Sequence, residues 1–391
     1  MTVMRDWAMM NRRDMLFSVA AALAWMTPGK NLAGGWIAGR GKAGKIPLIH
    51  ITDLYHPPQD PDDHIDLATV AALGEYDLRG VMLDNTRKFL MEAPPGFDIR
   101  RDPGFTPVAQ LSRMLGRPIP VAAGPSLPLS RPDDDVADRA PGEQAGVKLL
   151  LQLLEDSGEK VVVSAVGSTR VLTAACNRNP DLVRSKVRYV LLNAGSLAGP
   201  KREWNVDLDA EAYVGLWRSG LPIRWYPCAT ERGAFHPDHE RGTYWKTTHA
   251  EIFRALSPEL RGWFTHALSP GNANGVSDNP GDADLPRAWE QILQGERNMW
   301  STASLVMGVG RVLAKTAQGW RFVDAASAGV DRVWGWRLDG ITATVNARAE
   351  VGWRLANEGG NALLFGRERG PEYAGAMSEA LGALLGSLRA S

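Results

Sequence analysis

"IPLIHITDLYHPPQDPDDHIDLATVAALGEYDLRGVML", residues 46–83, sets two apolar runs on either side of a segment with helical spacing. "IPLIHIT" (46–52) is a short apolar run ending at Asp53, which suits a buried parallel strand. Residues 63–74 recur at helical intervals (Ile65, Leu67, Val70, Ala71), and "LRGVML" (78–83) reads as the next strand. Five aspartates (Asp53, Asp60, Asp62, Asp63 and Asp66) crowd the point where strand gives way to helix. Like charges at this density repel one another, so either water solvates them or a cation sits among them. Taken alone, Asp62-Asp63 is explained by a helix N-terminus, where carboxylates favour the dipole.

The alternation continues along the chain. "IPVAAG" (119–124) reads as a strand, and the helix "EQAGVKLLLQLLED" (143–156) leads into the strand "KVVVSAV" (160–166). A helix over about 169–177 precedes the strand "RYVLLNAG" (188–195). "DAEAYVGLWRSG" (209–220) has Asp209 as an N-cap and a glycine stop, and runs into "PIRWYPC". Repetition of this kind predicts an α/β fold with a mostly parallel twisted sheet flanked by helices. In such sheets ligands gather beyond the carboxyl ends of the strands, where Asp53, Asp84, Val166 and Gly195 all fall. After 228 the texture changes to Gly/Pro-rich loop and helix insertions, at about 229–297. "WGWRLDGITATVNA" (334–347) predicts a late antiparallel hairpin turning at Asp339-Gly340, and 371–388 a closing helix.

Composition narrows the function classes. Lys+Arg and Asp+Glu balance at 44 each, which argues against a nucleic-acid partner. Beyond the N-terminus no stretch reaches the roughly 18 apolar residues of a membrane span, so none is expected in the mature chain. Cys176 and Cys228 fit no metal spacing and read as two buried free thiols, with a single bridge the alternative. "NRRDMLFSVAAALAWM" (11–26) carries paired arginines before a short apolar run. That pattern predicts an export signal of the twin-arginine type over 1–35 and a periplasmic or extracellular destination. Residues 36–45 form a linker; its "GRGKAGK" lacks the hydroxyl residue and preceding strand of a phosphate-binding loop. Residues 46–391 then make one domain. The spacing of His236, His239 and His249 suggests solvated loop histidines, and Trp225, Trp245 and Trp263 suggest core.

Asp53 at a strand end followed by Asp62-Asp63 resembles the aspartate cluster of the inosine–uridine-type nucleoside hydrolases, in a divergent, exported branch. "IPVAAGPSLPL" (119–129), the long 161–195 segment, "EWNVDLDAEA" (203–212) and the closing helix follow in the family's order. The resemblance implies hydrolysis of N-glycosidic, ribonucleoside-like bonds with a Ca²⁺-held water and ribose diol. The chemistry suits the residue types, because Ca²⁺ takes carboxylate and carbonyl oxygens. It implies Asp53, Asp63 and the Val166 backbone carbonyl as metal ligands, and Asp53 and Asp62 as catalytic groups. Asp62, Asn85, Glu203 and Asn205 would hold the substrate, with Trp300 stacking on a base or sugar face. Trp300-Ser301 stands where the family has a His-Asp pair, so a Ser301 hydroxyl replaces a carboxylate ligand. The cation's hold is then weakened or lost unless Asp84 or Asp278 substitutes. The alternatives are a weak or inactive nucleoside- or sugar-binding protein of the same fold, or a glycoside hydrolase acting on an O-linked sugar. The resemblance also implies a homo-oligomer.

Overall fold

The protein is described by a computed structural model covering residues 44–56, 61–87, 102–199, 202–268, 285–327 and 329–390. Residues 1–35, where an export signal is expected, most of the expected linker, Asp60 and Asp278 lie outside the described residues.

The first apolar run forms β1 (Ile46–Thr52), buried at every position. The amphipathic segment forms α1 (Asp62–Ala72), and the second run forms β2 (Tyr76–Leu83). Three more strands follow: β3 (Val121–Ala123), β4 (Val161–Val166) and β5 (Val187–Asn193). Between β3 and β4 lies α2 (Ala145–Asp156); between β4 and β5 lies α3 (Arg170–Arg178). Two short helices, α4 (Trp204–Leu208) and α5 (Ala210–Arg218), lead to β6 (Ile223–Trp225). Later come α6 (Thr302–Gly308), β7 (Trp336–Val345), β8 (Val351–Leu355), β9 (Ala362–Arg367) and α7 (Tyr373–Leu385).

These nine strands make one sheet in the order β8-β7-β9-β6-β5-β4-β1-β2-β3. From β9 through β3 every pairing is parallel, while β7 pairs antiparallel with both β8 and β9. A short three-stranded antiparallel sheet lies apart from it, over residues 311–333. The period-2 alternation of β1 divides the core. Ile46 and Leu48 face a cluster built with α1, α6 and α7, whereas Ile49 and Ile51 face one built with α2, α3 and α5. Trp225, Trp245 and Trp263 are core residues, and Cys176 and Cys228 are buried and free. Among the described residues no helix is long and apolar enough to cross a membrane.

Two expectations need correction. The hairpin exists, but its turn is not Asp339-Gly340. β7 runs straight through that pair, which sits opposite Leu364 and Leu363 of β9. Asp339 accepts hydrogen bonds from Arg337 of the same strand and from Arg241 of a loop packed against it, so its side chain has partners without a turn of the backbone. The turn falls at 346–350, where Asn346 Oδ1 accepts the backbone N–H groups of Arg348 (2.9 Å) and Glu350 (3.0 Å). His249 is likewise no solvated loop residue. It is buried at the start of a short helix, with Nδ1 2.7 Å from the Ile292 carbonyl.

The sheet order places the site. The chain leaves β1 for β2 and β3 on one side, then returns to β4 on the other, so β1 and β4 flank a topological switch point. Asp53, Asp84, Val166 and Gly195 stand at the exits of four neighbouring strands.

Candidate active site

Beyond those exits opens a cavity of about 680 Å³. Asp53, Asp62, Asp63 and Asp66 line it together with Val166, Glu203, Asn205, Trp300 and Ser301. The chain brings them there by local rules. Asp62 and Asp63 occupy the first turn of α1, complementing its dipole, and Thr52 at the end of β1 donates its hydroxyl to Asp63 Oδ1. Asp66, one turn further, is buried and accepts the Ser301 hydroxyl from the start of α6.

Glu203 is the N-cap of α4. Its Oε1 accepts the Asn205 N–H (3.1 Å) and its Oε2 the Gly195 N–H (2.7 Å). Gly195 has φ +90°, and a Cβ there would run into the Tyr213 hydroxyl, so the turn that presents this N–H requires glycine. Asn205 donates to the Asn193 carbonyl (3.0 Å), tying α4 to the exit of β5. Burial raises the Glu203 carboxyl above its ordinary value, opposed by the N–H groups of Gly195, Asn205 and Val206.

Asn85 behaves differently. It is buried behind the rim, its amide donates to the Leu83 carbonyl (3.0 Å), and it does not line the cavity. Its neighbour Asp84 is wholly buried and accepts the Ser168 hydroxyl (2.8 Å); burial raises its carboxyl. A Cβ on Gly167 would lie 3.3 Å from Asp84 Oδ2 and 3.5 Å from Asp53 Oδ1, so two carboxylates close over that glycine. Tyr55 braces the same exit by accepting the Thr86 N–H (2.6 Å).

Arg170 holds the rim from beneath. It is fully buried, its Nε donates to Asp209 Oδ2 (2.7 Å), and its terminal nitrogens reach the Asn85, Pro125 and Leu208 carbonyls. Asp209 also caps α5, as its position predicts, through the Ala212 N–H (3.0 Å). The preceding Thr169 has φ 62°, a left-handed conformation unusual for a β-branched residue, at the turn leaving Val166.

Several lining residues give no signal in the sequence. Cys228 sits among the carboxylates. Burial first, then Glu203, Asp62, Asp66 and Asp53, push its thiol well above the ordinary range. At the mouth Phe235, Tyr244 and Trp300 form a ring cluster with centroids 5.4–5.7 Å apart. The Trp300 indole N–H holds the Ala234 carbonyl (3.0 Å), and the Phe235 ring is 64% exposed. Phe235 lies in the Gly/Pro-rich insertion, where periodicity is silent.

Apart from the Cys228 thiol, the metal-donor atoms of the described lining are oxygens, which suits a hard cation such as Ca²⁺ better than a thiol-seeking metal. Among the described residues no three acidic, imidazole or thiol groups converge to hold a metal by themselves. A cation here would therefore rely on carbonyl and water oxygens beside the carboxylates.

No family model matches the chain. Over 199 residues, 46% of this chain, it is 30% identical to a pyrimidine-specific ribonucleoside hydrolase RihA of Citrobacter koseri. A protein of the same name from an Enterobacter strain is 31% identical over the same length. Over that stretch the chain is similar to the inosine–uridine nucleoside hydrolase-type superfamily. It spans 58% of the length of these curated relatives. Among solved nucleoside hydrolases, a purine-preferring ribonucleoside hydrolase from Gardnerella vaginalis aligns with 88% of this chain and 100% of its own. The identity is 14% and the TM-score 0.46. A plant nucleoside hydrolase, PpNRh1, aligns with 88% and 99% of the two chains at 15% identity and a TM-score of 0.47. At those scores the likeness to that superfamily rests on the sequence relatives.

Proposed function

We propose that this protein hydrolyses the N-glycosidic bond of a ribonucleoside. The observation that carries the reading is the convergence of Asp53, Asp62, Asp63, Glu203 and Asn205 on one cavity beneath an aromatic mouth. The names of its curated sequence relatives support it.

Breaking this bond develops positive charge on the sugar ring, so carboxylates beneath the ring stabilise the transition state more than the ground state. Asp62, Glu203 and Asn205 hold sugar hydroxyls and fix the anomeric carbon. Asp53 takes a proton from the attacking water, whose oxygen bonds to that carbon as the C–N bond breaks toward the base. The departing base takes its proton from water. Asp53, Asp63 and the Val166 carbonyl are the residues that would hold Ca²⁺. Bound there, it would acidify water and orient the sugar diol.

A nucleoside-binding protein with feeble turnover is the second reading. It is favoured by Ser301, whose hydroxyl is turned to Asp66 where the resemblance expects a carboxylate ligand. Release of free base from nucleosides, assayed with Ca²⁺ and with EDTA, separates the two. Hydrolysis abolished by Asp53→Asn supports the enzyme. Nucleoside binding without base release under any condition overturns it. The twin-arginine pattern supports export of the same protein, tested by fractionating cells that express the whole chain.

A further inference from the structure

A second cavity, of about 530 Å³, adjoins the first. The two share a wall made by Ser196, Ala198, Gly199, Arg202 and Glu203. The far side of the second is the β7–β8 hairpin, with Thr344, Asn346, Glu350 and Gly352 facing in. Each cavity alone is large enough for a small-molecule ligand.

The position of the shared wall gives the annex a direction. Glu203 lines both cavities, whereas Trp300 and Phe235 line only the first. On the reading proposed above, the base lies toward the rings and the sugar toward Glu203. The annex then opens from the sugar end, away from the base. A group carried on the sugar would enter it, and a plain nucleoside would leave it empty.

Its lining describes that group. Arg202 offers donors; its Nε already reaches the Arg348 carbonyl (3.3 Å), and one terminal nitrogen lies 3.9 Å from Asp207. Glu350 is held below its ordinary value by the Asn346 amide first and then by Arg348 and Arg202, so it is an ionised acceptor at neutral pH. Thr344 and Gly352 stand opposite each other across the hairpin; a Cβ on Gly352 would meet only Thr344 Oγ1, at 3.6 Å. Among the described lining residues two carboxylates, Glu203 and Glu350, outnumber one guanidinium. That balance disfavours a phosphate and suits a neutral group rich in hydroxyls, which can both donate and accept.

We propose that the annex is a second glycone subsite, and that the protein's preferred substrate is a nucleoside bearing a further neutral sugar on its ribose. The experiment compares base release from uridine and inosine, each free, 5′-O-glucosylated and 5′-phosphorylated, because all present the same scissile bond. Calorimetric Kd values are measured on the same series. The glucosylated forms are expected to show kcat/KM at least tenfold above the free nucleosides, and the phosphorylated forms to fall below them. Gly352→Phe fills the annex and abolishes that gain, leaving the free nucleosides unchanged; Thr344→Phe, on the facing strand, does the same. Equal values for free and glucosylated forms, or a preference for phosphate, overturn the subsite while leaving the nucleoside reading intact. Failure of every compound to bind or react overturns both.

Discussion

The Ser301 hydroxyl donates to Asp66 at the floor of the cavity, joining residues 235 positions apart. A neutral hydroxyl beside a buried carboxylate relieves repulsion where several acids meet, which a second carboxylate would not. Ser301→Asp is therefore expected to destabilise the metal-free protein by about 2 kcal/mol, because two like charges then share a buried site. Millimolar Ca²⁺ should reverse the loss and raise Tm beyond the shift it gives the wild type, since a ligand that binds only the folded state stabilises it. Thermal melts in EDTA and in Ca²⁺ check both parts. A variant with no larger calcium response than wild type would show that Ser301 does not face a cation.

The Arg170–Asp209 ion pair, at 2.7 Å with side chains 0% and 1% exposed, is the second expected weak point. Arg170→Met leaves the Asp209 carboxylate buried without its counter-ion and strips donors from the Asn85, Pro125 and Leu208 carbonyls. Removing one partner of a buried pair costs about 3–5 kcal/mol, far more than losing a surface bridge. Urea unfolding should report that loss. Exposed Arg131→Ala, whose partner Asp133 is 80% exposed, should change stability negligibly.

Much of this fold can be read in the chain because its determinants are local. Continuous apolar runs mark β1, β4 and β5, helical spacing marks α1 and α2, and Asp209 announces its own cap. Adjacent strand exits then follow from parallel topology, which is why Asp53, Val166 and Gly195 could be grouped in advance. What could not be read depends on contacts distant in sequence. Asp339-Gly340 carries a turn signal, but Arg241, nearly a hundred positions away, gives its carboxylate a partner inside a straight strand. Arg170 looks like an ordinary helical arginine until three segments converge on it. Phe235 becomes part of an aromatic cluster only when an insertion folds over Trp300.

His50 sets the expected acid response. It lies in the middle of β1, fully buried, with neither ring nitrogen hydrogen-bonded among the described residues, and burial lowers its pKa to about 4. The folded protein keeps this ring neutral while the unfolded chain protonates it near pH 6.5, so acid favours unfolding. The stability in question is present above pH 6.5 and is lost as pH falls to about 4, to the extent of about 3 kcal/mol. His64, lowered to about 3 mainly by burial, adds in the same direction. His50→Leu should flatten the decline between pH 7 and pH 4, measured by urea unfolding at several pH values. An unchanged slope would assign acid sensitivity to other groups.

Phe235 gives the most direct test of where the base sits. Its ring touches Tyr244 and Trp300 yet stays largely in solvent, so Phe235→Ala removes a stacking face without opening the core. An aromatic contact contributes about 1 kcal/mol beyond area burial, which corresponds to roughly fivefold in binding. KM for nucleosides should rise by about that factor, with Tm unchanged within a degree or two. Trp300→Ala should raise KM further and lower Tm as well, because its indole N–H anchors the Ala234 carbonyl and so the loop carrying Phe235. Steady-state kinetics on a purine and a pyrimidine nucleoside, beside melts of both variants, separate stacking from loop anchoring. If Phe235→Ala leaves both KM values at the wild-type level, the base does not reach this cluster and the assigned orientation of the ligand is reversed.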